Sequence, residues 1–517
     1  MQSRYRIGID VGGTNTDTVI MNGRGVIAAV KVPTTEDVTG GVRGALEQVL
    51  AQSGIAGGHI SGVMIGTTHF TNAVIERKHL VRTGVIRIGL PATASIPPMA
   101  DWPEDLKSLI GDACYLIKGG YEFDGREINP LDENAVIRIA AELRDKGIIS
   151  AVVNSVFSPV NDSMERRAGE LLQQHYPQCD VVLASEVGRV GLLERENAAI
   201  LNASLRPLST KTVNAFALAL RECRLGCPFF ITQNDGTLMN ADFVRRFPVL
   251  TFASGPTNSM RGAAFLSGFQ DAIVVDVGGT TTDVGLLQKG FPRQSATTVN
   301  IGGVRTNFRM PDMLSVGLGG GSLVRQNENG VSVGPDSVGY RISQDAKVFG
   351  GARLTASDIA VALGRAHFGA PQAVAALTGE FLQQAAQVMD RIVQDCVEKT
   401  RLSSVPLPVI VVGGGSVLLG PTIGGLDAVR PDHYSVANAV GAAIAQVSGE
   451  VDKIYSLEHL TREQAIAEAQ AVATARAIDA GARADSIKLI DKEDVPLAYL
   501  PGNATRIRLK VVGDLEL

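Results

Sequence analysis

The sequence predicts an α/β protein of two related lobes facing each other across an interlobe cleft. Three observations carry that reading. An eight-residue loop occurs twice, 266 positions apart, as Asp10-Val11-Gly12-Gly13-Thr14-Asn15-Thr16-Asp17 and Asp276-Val277-Gly278-Gly279-Thr280-Thr281-Thr282-Asp283, identical at seven positions. Each copy follows an apolar strand-like run, Arg6–Ile9 and Ile273–Val275. Between and after the copies, strand-like and helix-like periodicities alternate, as layered α/β folds require. With only two copies, the repeat reads as a duplication rather than a solenoid.

Element by element, Tyr5–Asp10 and Thr16–Met21 read as strands flanking the first glycine loop, with Asn22-Gly23 as a turn into a third strand, Gly25–Lys31. Thr39–Ser53 has the apolar spacing of an amphipathic helix. Val63–Thr67 is a fourth strand, leading into a helix over Phe70–Arg77, and Gly84–Leu90 is a further strand. An α/β stretch follows: helix Glu133–Lys146, strand Ile149–Val156, helix Ser163–His175 and strand Val181–Ala184. A long helix through Asn202 and a separate helix over Ser209–Cys223 come next. Residues 301–350 read as glycine-rich strands, Gln384–Arg401 as a helix, Val409–Val412 as a buried strand and Ala437–Gln446 as an Ala-rich helix. The charged helix Thr461–Ala480, with its charge on a solvated face, and strands Ile487–Asp491 and Arg506–Val511 close the order. The expected division is a first lobe with an α/β insertion over 1–250, a second lobe over 251–452 and a short helix-and-strand extension over 453–517.

Composition supports this and excludes other classes. At 517 residues, length alone anticipates three to four units. A 45% hydrophobic share with only 5% aromatics implies cores of Val, Ile, Leu and Ala. The 57 glycines exceed the usual share of ~7% and cluster in short runs between apolar segments, as tight loops do. A net charge of −5 gives no basic footprint for nucleic acid or an anionic membrane. Five cysteines, with Cys223 and Cys227 the sole close pair and no histidine at metal spacing, read as reduced structural thiols of a cytosolic protein. The chain enters its first strand at once, which predicts no signal peptide, and its most apolar stretch, residues 405–426, is broken by prolines and glycines. A cytoplasmic protein binding neither nucleic acid nor membrane is expected.

The repeated loop carries the chemistry. Gly12, Gly13, Thr14 and Asn15, and likewise Gly278, Gly279, Thr280 and Thr281, would offer backbone N–H groups and hydroxyls to phosphate oxygens. The leading carboxylates Asp10 and Asp276 repel phosphate, but suit a hydrated Mg²⁺, which needs only one or two carboxylates. A third element, Gly413-Gly414-Gly415-Ser416 after a buried strand, would let an adenosine approach backbone closely. ATP with Mg²⁺ is the expected ligand. No Walker-type loop, G-x-S-x-G elbow or H-E-x-x-H motif occurs, and seven scattered histidines argue against a metal-only, ATP-independent hydrolase.

The three motifs in this order resemble the actin/Hsp70/sugar-kinase superfamily, whose lobes are ribonuclease H-like. Within it the chain resembles the hydantoinase A/oxoprolinase family over residues 5 to 450. The likeness rests on Gly66-Thr67-Thr68-His69-Phe70-Thr71-Asn72-Ala73, Glu194-Arg195-Glu196-Asn197 through Asn202-Ala203, Gln233-Asn234-Asp235-Gly236, Ser254-Gly255-Pro256, Asp283 and Gly317-Leu318-Gly319-Gly320-Gly321-Ser322. Where that family reads SGPAGG, this chain reads Ser254-Gly255-Pro256-Thr257-Asn258-Ser259. Full-length members have a further C-terminal domain, for which 517 residues leave no room. The resemblance implies ATP-dependent opening of a cyclic amide or imide, such as a hydantoin, 5-oxoproline or a related lactam, together with a hydantoinase B-like partner subunit. A small-molecule kinase and a nucleotide-gated reactivase or chaperone are the alternatives.

Four residues are expected to be catalytic: Asp10 and Asp276 at the metal, His69 at a strand end orienting a substrate carbonyl, and Asp312 holding metal or substrate. Glu186 and Arg189 are candidates for the cleft wall. Glu194 and Arg195 read as a helix-surface ion pair, and the histidines at 59, 79, 175, 367, 433 and 459 as surface or packing residues.

Overall fold

The computed structural model describes residues 5–13, 15–23, 25–34, 38–295, 298–308, 310–328, 330–401, 406–458, 460–498 and 503–517, so Thr14 and His459 lie outside the described residues. The chain opens with strands β1 (Tyr5–Val11), β2 (Asn15–Asn22) and β3 (Gly25–Pro33), helix α1 (Val38–Ser53), strand β4 (Ile60–Thr67) and helix α2 (His69–Ile75). Strands β5 (Gly84–Leu90), β6 (Cys114–Lys118), β7 (Ser150–Ser155) and β8 (Asp180–Leu183) form a separate parallel four-stranded sheet, inserted between β4 and the next strand of the first sheet. Helix α3 (Leu192–Glu222) returns the chain to the first sheet, where β9 (Phe229–Thr232) pairs with β4 and β10 (Thr237–Asn240) pairs with β9. Helix α4 (Ser254–Ser267) then leads to a second sheet containing β11 (Ala272–Val277), β12 (Thr282–Gln288), β13 (Met313–Val316), β14 (Val409–Val412) and β15 (Leu426–Val429). Helix α5 (Ala437–Ala443) leads back, followed by β16 (Gln446–Tyr455), α6 (Arg462–Asp479), β17 (Lys488–Pro496) and β18 (Thr505–Gly513).

The duplication is visible strand by strand. β1 and β2 pair antiparallel with Asp10 opposite Asp17, and β11 and β12 pair antiparallel with Asp276 opposite Asp283. A parallel strand flanks each hairpin on the same side, β4 beside β1 and β14 beside β11. Helices α4 and α5 lie between the two sheets. Val440 and Ala443 of α5 pack on Val19 and Met21 of the first sheet, while Met260 and Ala263 of α4 pack on Val274 and Ile410 of the second. On its other face the first sheet is covered by α1 and α3, where Val42, Leu46 and Leu201 join Ile7, Ile9 and Ile65.

Two features differ from the expected order. The residues anticipated as a C-terminal extension belong to the first sheet: β16 pairs parallel with β10, and β18 and β17 extend the same nine-stranded sheet. Helix α6 covers them through a stripe of Ala465, Ala469, Ala473 and Ala477, all buried, beneath its charged outer face. The helix expected to break near Asn202 instead runs unbroken for 31 residues with Pro207 inside it. Proline has no N–H for the carbonyl four residues back. That carbonyl, on Ala203, accepts from Ser150 Oγ at 3.1 Å, and the next, on Ser204, accepts from the Val81 amide at 3.1 Å. Tertiary donors replace the missing helical bond.

The helix crossing between the lobes depends on absent side chains. A Cβ on Gly441 would lie 1.8 Å from the Asn258 carbonyl oxygen, and one on Gly262 would lie 1.8 Å from that of Ala437. Gly441→Ala is expected to destabilise the protein by about 3 kcal/mol, because backbone must move to admit the methyl. Gly44→Ala in α1, where a Cβ meets nothing within 4 Å, should instead stabilise by about 0.5–1 kcal/mol. Denaturant midpoints of the two variants check the contrast.

Candidate functional site

The two glycine loops make the same turn. Gly12 N–H donates to the Asn15 carbonyl at 3.0 Å and Gly278 N–H to the Thr281 carbonyl at 2.9 Å. Neither first glycine has a left-handed backbone, so conformational freedom is not what these positions require. Room is the constraint: a Cβ would press on those carbonyls at 3.0 and 3.3 Å, while one on Gly13 would meet nothing. The amides of Gly13, Gly279 and Thr280 donate to no group among the described residues, and Gly13 and Thr280 are exposed. Unpartnered N–H groups are what an anion needs.

Each loop has its own support. Thr34 Oγ1 donates to the Gly12 carbonyl at 2.8 Å. Under the second loop, Gly320 and Gly321 N–H donate to the carbonyls of Gly278 and Gly279 at 3.0 and 2.8 Å, and Thr282 Oγ1 donates to the Leu318 carbonyl. The Gly317–Ser322 run is thus a cradle for the second loop, with a Cβ on Gly319 reaching 2.5 Å from the Thr280 nitrogen.

Four carboxylates gather around these turns. Asp10 is buried, accepting from Asn438 Nδ2 at 3.0 Å and Asn258 Nδ2 at 3.5 Å. The same Asn438 amide group donates to Asp17 at 3.0 Å, and Lys31 Nζ lies 2.7 and 2.8 Å from the two Asp17 oxygens. Burial, then the facing Asp17, pushes the Asp10 carboxyl up to about 6. Burial, with Asp283 and Asp10 adding to it against a hydrogen bond from Ser259, pushes Asp276 up to about 7. Asp283 is also raised by burial, although Ser315 Oγ donates to it. Like charges face each other on each hairpin, which is costly without a counter-charge. The first hairpin has Lys31; the second has hydroxyl donors.

A divalent cation fits this donor set only in part-hydrated form. The donors are carboxylate oxygens, but among the described residues no three acidic, histidine or cysteine side chains could enclose an ion. Mg²⁺, which keeps several waters and shares its remaining ligands with phosphate, matches such a site.

Adjacent residues of α4 reach both lobes: Asn258 bonds Asp10, and Ser259 bonds Asp276. A Cβ on Gly255 would come 3.9 Å from both Asp10 oxygens, so the first turn of α4, positive end of its dipole, faces that carboxylate. The sequence reading missed Asn258, Ser259, Asn438 and Lys31. One signal was present, the departure Thr257-Asn258-Ser259 from the family pattern.

The other expected residues are distributed as follows. Gly413 (φ +86°) and Gly415 are needed by the chain itself: a Cβ on the first would lie 2.3 Å from Asp276 Oδ1 and one on the second 2.7 Å from the Gly278 carbonyl. Gly414 alone of the three faces Lys31 of the other lobe, 3.7 Å from Lys31 Nζ to its would-be Cβ. Ser416 is fully buried beneath them. His69 begins α2, packs edge-on to Phe70, and is held below its usual value by burial and then by His79 and Lys211; neither loop carboxylate acts on it. Asp312 pairs with Arg293 and directly precedes β13, three residues before Ser315, the residue that does reach Asp283. Arg195 is buried, not a surface partner of Glu194: it donates to Asn154, Ser155, Arg189 and Gly191, while Glu194 pairs with Arg305 at 2.6 Å.

Glu186 and Arg189 line a cavity of about 1000 Å³ between the inserted sheet, the Gln233–Asp235 turn, β16 and α6. Arg189 crosses it to pair with Glu450 and Asp452. Beside the cavity, Thr257 Oγ1 donates to the carbonyl of its lining residue Asn234 at 2.9 Å, and the neighbouring Asn258 Nδ2 donates to Thr232 Oγ1 at 3.0 Å.

Two hairpin-bearing sheets with a helix pair between them, and a glycine loop at the end of each hairpin, define the two-lobed actin/Hsp70-like class. The chain belongs to the hydantoinase/oxoprolinase family. The family's N-terminal-region profile matches residues 6–176 and its hydantoinase/oxoprolinase profile residues 195–370. Caprolactamase subunit alpha of Pseudomonas jessenii is 27% identical over 389 residues, covering 70% of this chain and 55% of that one. The acetophenone carboxylase gamma subunit of Aromatoleum aromaticum is 29% identical over 399 residues, covering 69% and 53%. The chain therefore spans about half the length of these curated relatives. The crystal structure of the ATP-dependent caprolactamase from Pseudomonas jessenii superimposes with a TM-score of 0.80 at 19% identity, over 99% of this chain and 88% of that one. Nucleotide-free acetone carboxylase gives 0.71 at 18%, over 100% and 88%. At these identities the likeness is one of fold. Among the described residues no helix is long and apolar enough to cross a membrane, and all five cysteines are free thiols.

Proposed function

We propose that this chain binds Mg²⁺–ATP between its lobes and phosphorylates the carbonyl oxygen of a cyclic amide, such as a hydantoin, 5-oxoproline or a related lactam, as the ATP-dependent half of a ring-opening hydrolase. The observation that carries the reading is the convergence of two matched loops, each with unpartnered amides and a raised carboxylate, in a family that includes a caprolactamase subunit. An amide carbonyl is a poor electrophile and its nitrogen a poor leaving group. Phosphorylation at oxygen gives an imidate-like phosphate that water can attack. Phosphoryl transfer asks mainly for positioning and charge neutralisation. Mg²⁺, when bound, supplies much of that neutralisation, with Asp10 and Asp276 holding it through its waters. The loop amides orient the phosphates, Asn258 and Asn438 fix the Asp10 carboxylate, and the cavity behind Asn234 receives the acceptor. The second chemical half falls to a hydantoinase B-like partner, in keeping with relatives that are named as subunits.

A second reading has a specific support: relatives at similar identity are named carboxylases of acetophenone and acetone. Ketones and amides share the carbonyl oxygen that would accept the phosphoryl group. One assay separates the two. ADP release is measured with hydantoin, 5-oxoproline and caprolactam, and with simple ketones plus bicarbonate, each with and without the partner subunit, alongside mass spectrometry of the products. ADP release with a ring-opened acid is the expected result. Stimulation by ketones alone transfers the proposal to carboxylation, a stable phosphorylated product to a kinase, and no stimulation by any small molecule to a reactivase.

A further inference from the structure

Lys31 has no role in the reaction as set out above, yet it is the cation that acts on both Asp10 and Asp276. It projects from β3, directly opposite Asp17 in the β2–β3 ladder, which holds its stem rigidly against the first hairpin. Its ammonium reaches across to the second lobe, stopping 3.7 Å from the point a Cβ on Gly414 would occupy. It is thus flanked by one phosphate loop's hairpin and by the glycine run that follows β14.

The ammonium is the accessible member of the pair: Lys31 keeps 35% of its side-chain exposure, Asp17 only 5%. A phosphate offers the same ammonium a denser negative charge and a charge-assisted hydrogen bond of the stronger kind. Asp17 keeps one donor without the lysine, since Asn438 Nδ2 donates to its Oδ2 at 3.0 Å. Four carboxylates and a polyphosphate in one cleft also leave a large negative excess, which this cation is placed to reduce.

We propose that Lys31 is the phosphate-contacting cation of the cleft, exchanging Asp17 for the terminal phosphates of a bound nucleoside triphosphate. The inference rests on the nucleotide reading of the loops and adds to it a residue that discriminates triphosphate from the bare nucleoside. A lysine that merely neutralised Asp17 would affect stability and leave ligand discrimination alone.

The test is calorimetric binding of Mg²⁺–ATP, AMP and adenosine to the wild type, Lys31→Met and Lys31→Arg, with melting temperatures to confirm the fold. Lys31→Met is expected to weaken Mg²⁺–ATP binding by about 10- to 100-fold, the range of one charge-assisted contact, while adenosine binds as to the wild type. Lys31→Arg should recover part of the loss. Unchanged ATP binding in Lys31→Met overturns the proposal, as does an equal loss for adenosine and ATP. If the wild type binds no nucleotide, it is the nucleotide reading that fails, and the two failures stay distinguishable. Amine-reactive labelling of Lys31, read by mass spectrometry, adds an independent arm: ATP should protect the residue and adenosine should not, and equal labelling under both overturns the exchange.

Discussion

Asp10→Ala and Asp276→Ala are each expected to lower nucleotide-dependent turnover by at least about 1000-fold while the protein stays folded, because each removes a carboxylate that positions charge at the reacting phosphate. Near-normal turnover in either variant breaks the two-loop site. The same carboxyls make a separate claim about stability in metal-free protein. Burial holds Asp10 up to about 6 and Asp276 up to about 7, both above the ordinary 3.8. A carboxyl raised on folding binds its proton more tightly in the folded state, so stability falls as pH rises from about 4 to about 7 and returns on acidification. Asp276→Asn removes the share of that dependence due to Asp276. In EDTA the variant should therefore exceed the wild type in melting temperature most at pH 8, with the gap closing toward pH 5. A gap that is constant with pH, or that widens in acid, would show that Asp276 is an ordinary ionised carboxylate.

Glu196→Ala is expected to destabilise the chain by about 3–5 kcal/mol. Arg87 and Glu196 are fully buried between the inserted sheet and α3, joined by Arg87 Nη2 to Glu196 Oε1 at 2.5 Å and Nε to Oε2 at 2.7 Å. Asn154 Nδ2 donates to the same carboxylate at 3.1 Å, and beside it Trp102 Nε1 donates to Asn197 Oδ1 at 2.8 Å. Truncating the glutamate leaves a guanidinium out of water with its strongest partner gone. Replacing both members with apolar residues, Arg87→Met with Glu196→Leu, should recover much of the loss. Chemical denaturation of the three proteins decides the matter: a double variant no better than Glu196→Ala would mean that the pair, and not the avoidance of a lone charge, stabilises this junction.

Local pattern made much of this molecule legible. The repeated loop fixed the duplication, and the hairpin register that sets Asp10 against Asp17 follows from a turn closed by Gly12 and Asn15. Glycine runs announced close approach, although at Gly413 and Gly415 the close neighbour is the second loop. What could not be read was contact between distant segments. Asn438 is 428 residues from Asp10, and Asn258 is 248 residues from it. An asparagine in a small-residue helix carries no local mark of such a partner. Lys31 was hidden for a related reason, since a lysine on an outer strand reads as solvated until the opposite lobe is placed beside it. The continuity of α3 through Pro207 was likewise hidden, because the donors that replace the missing N–H come from β7 and from Val81.

The return of β16, β17 and β18 to the first sheet has a consequence for how the chain is made. Their residues, 446–513, emerge from the ribosome after the whole second sheet, whose strands close by Val429. The second lobe can therefore condense while the first still shows β10 as an open edge. The order of synthesis and the order of lobe completion are opposite. The last strands dock onto a sheet begun some four hundred residues earlier, and until they do, that edge is open to pairing with another chain.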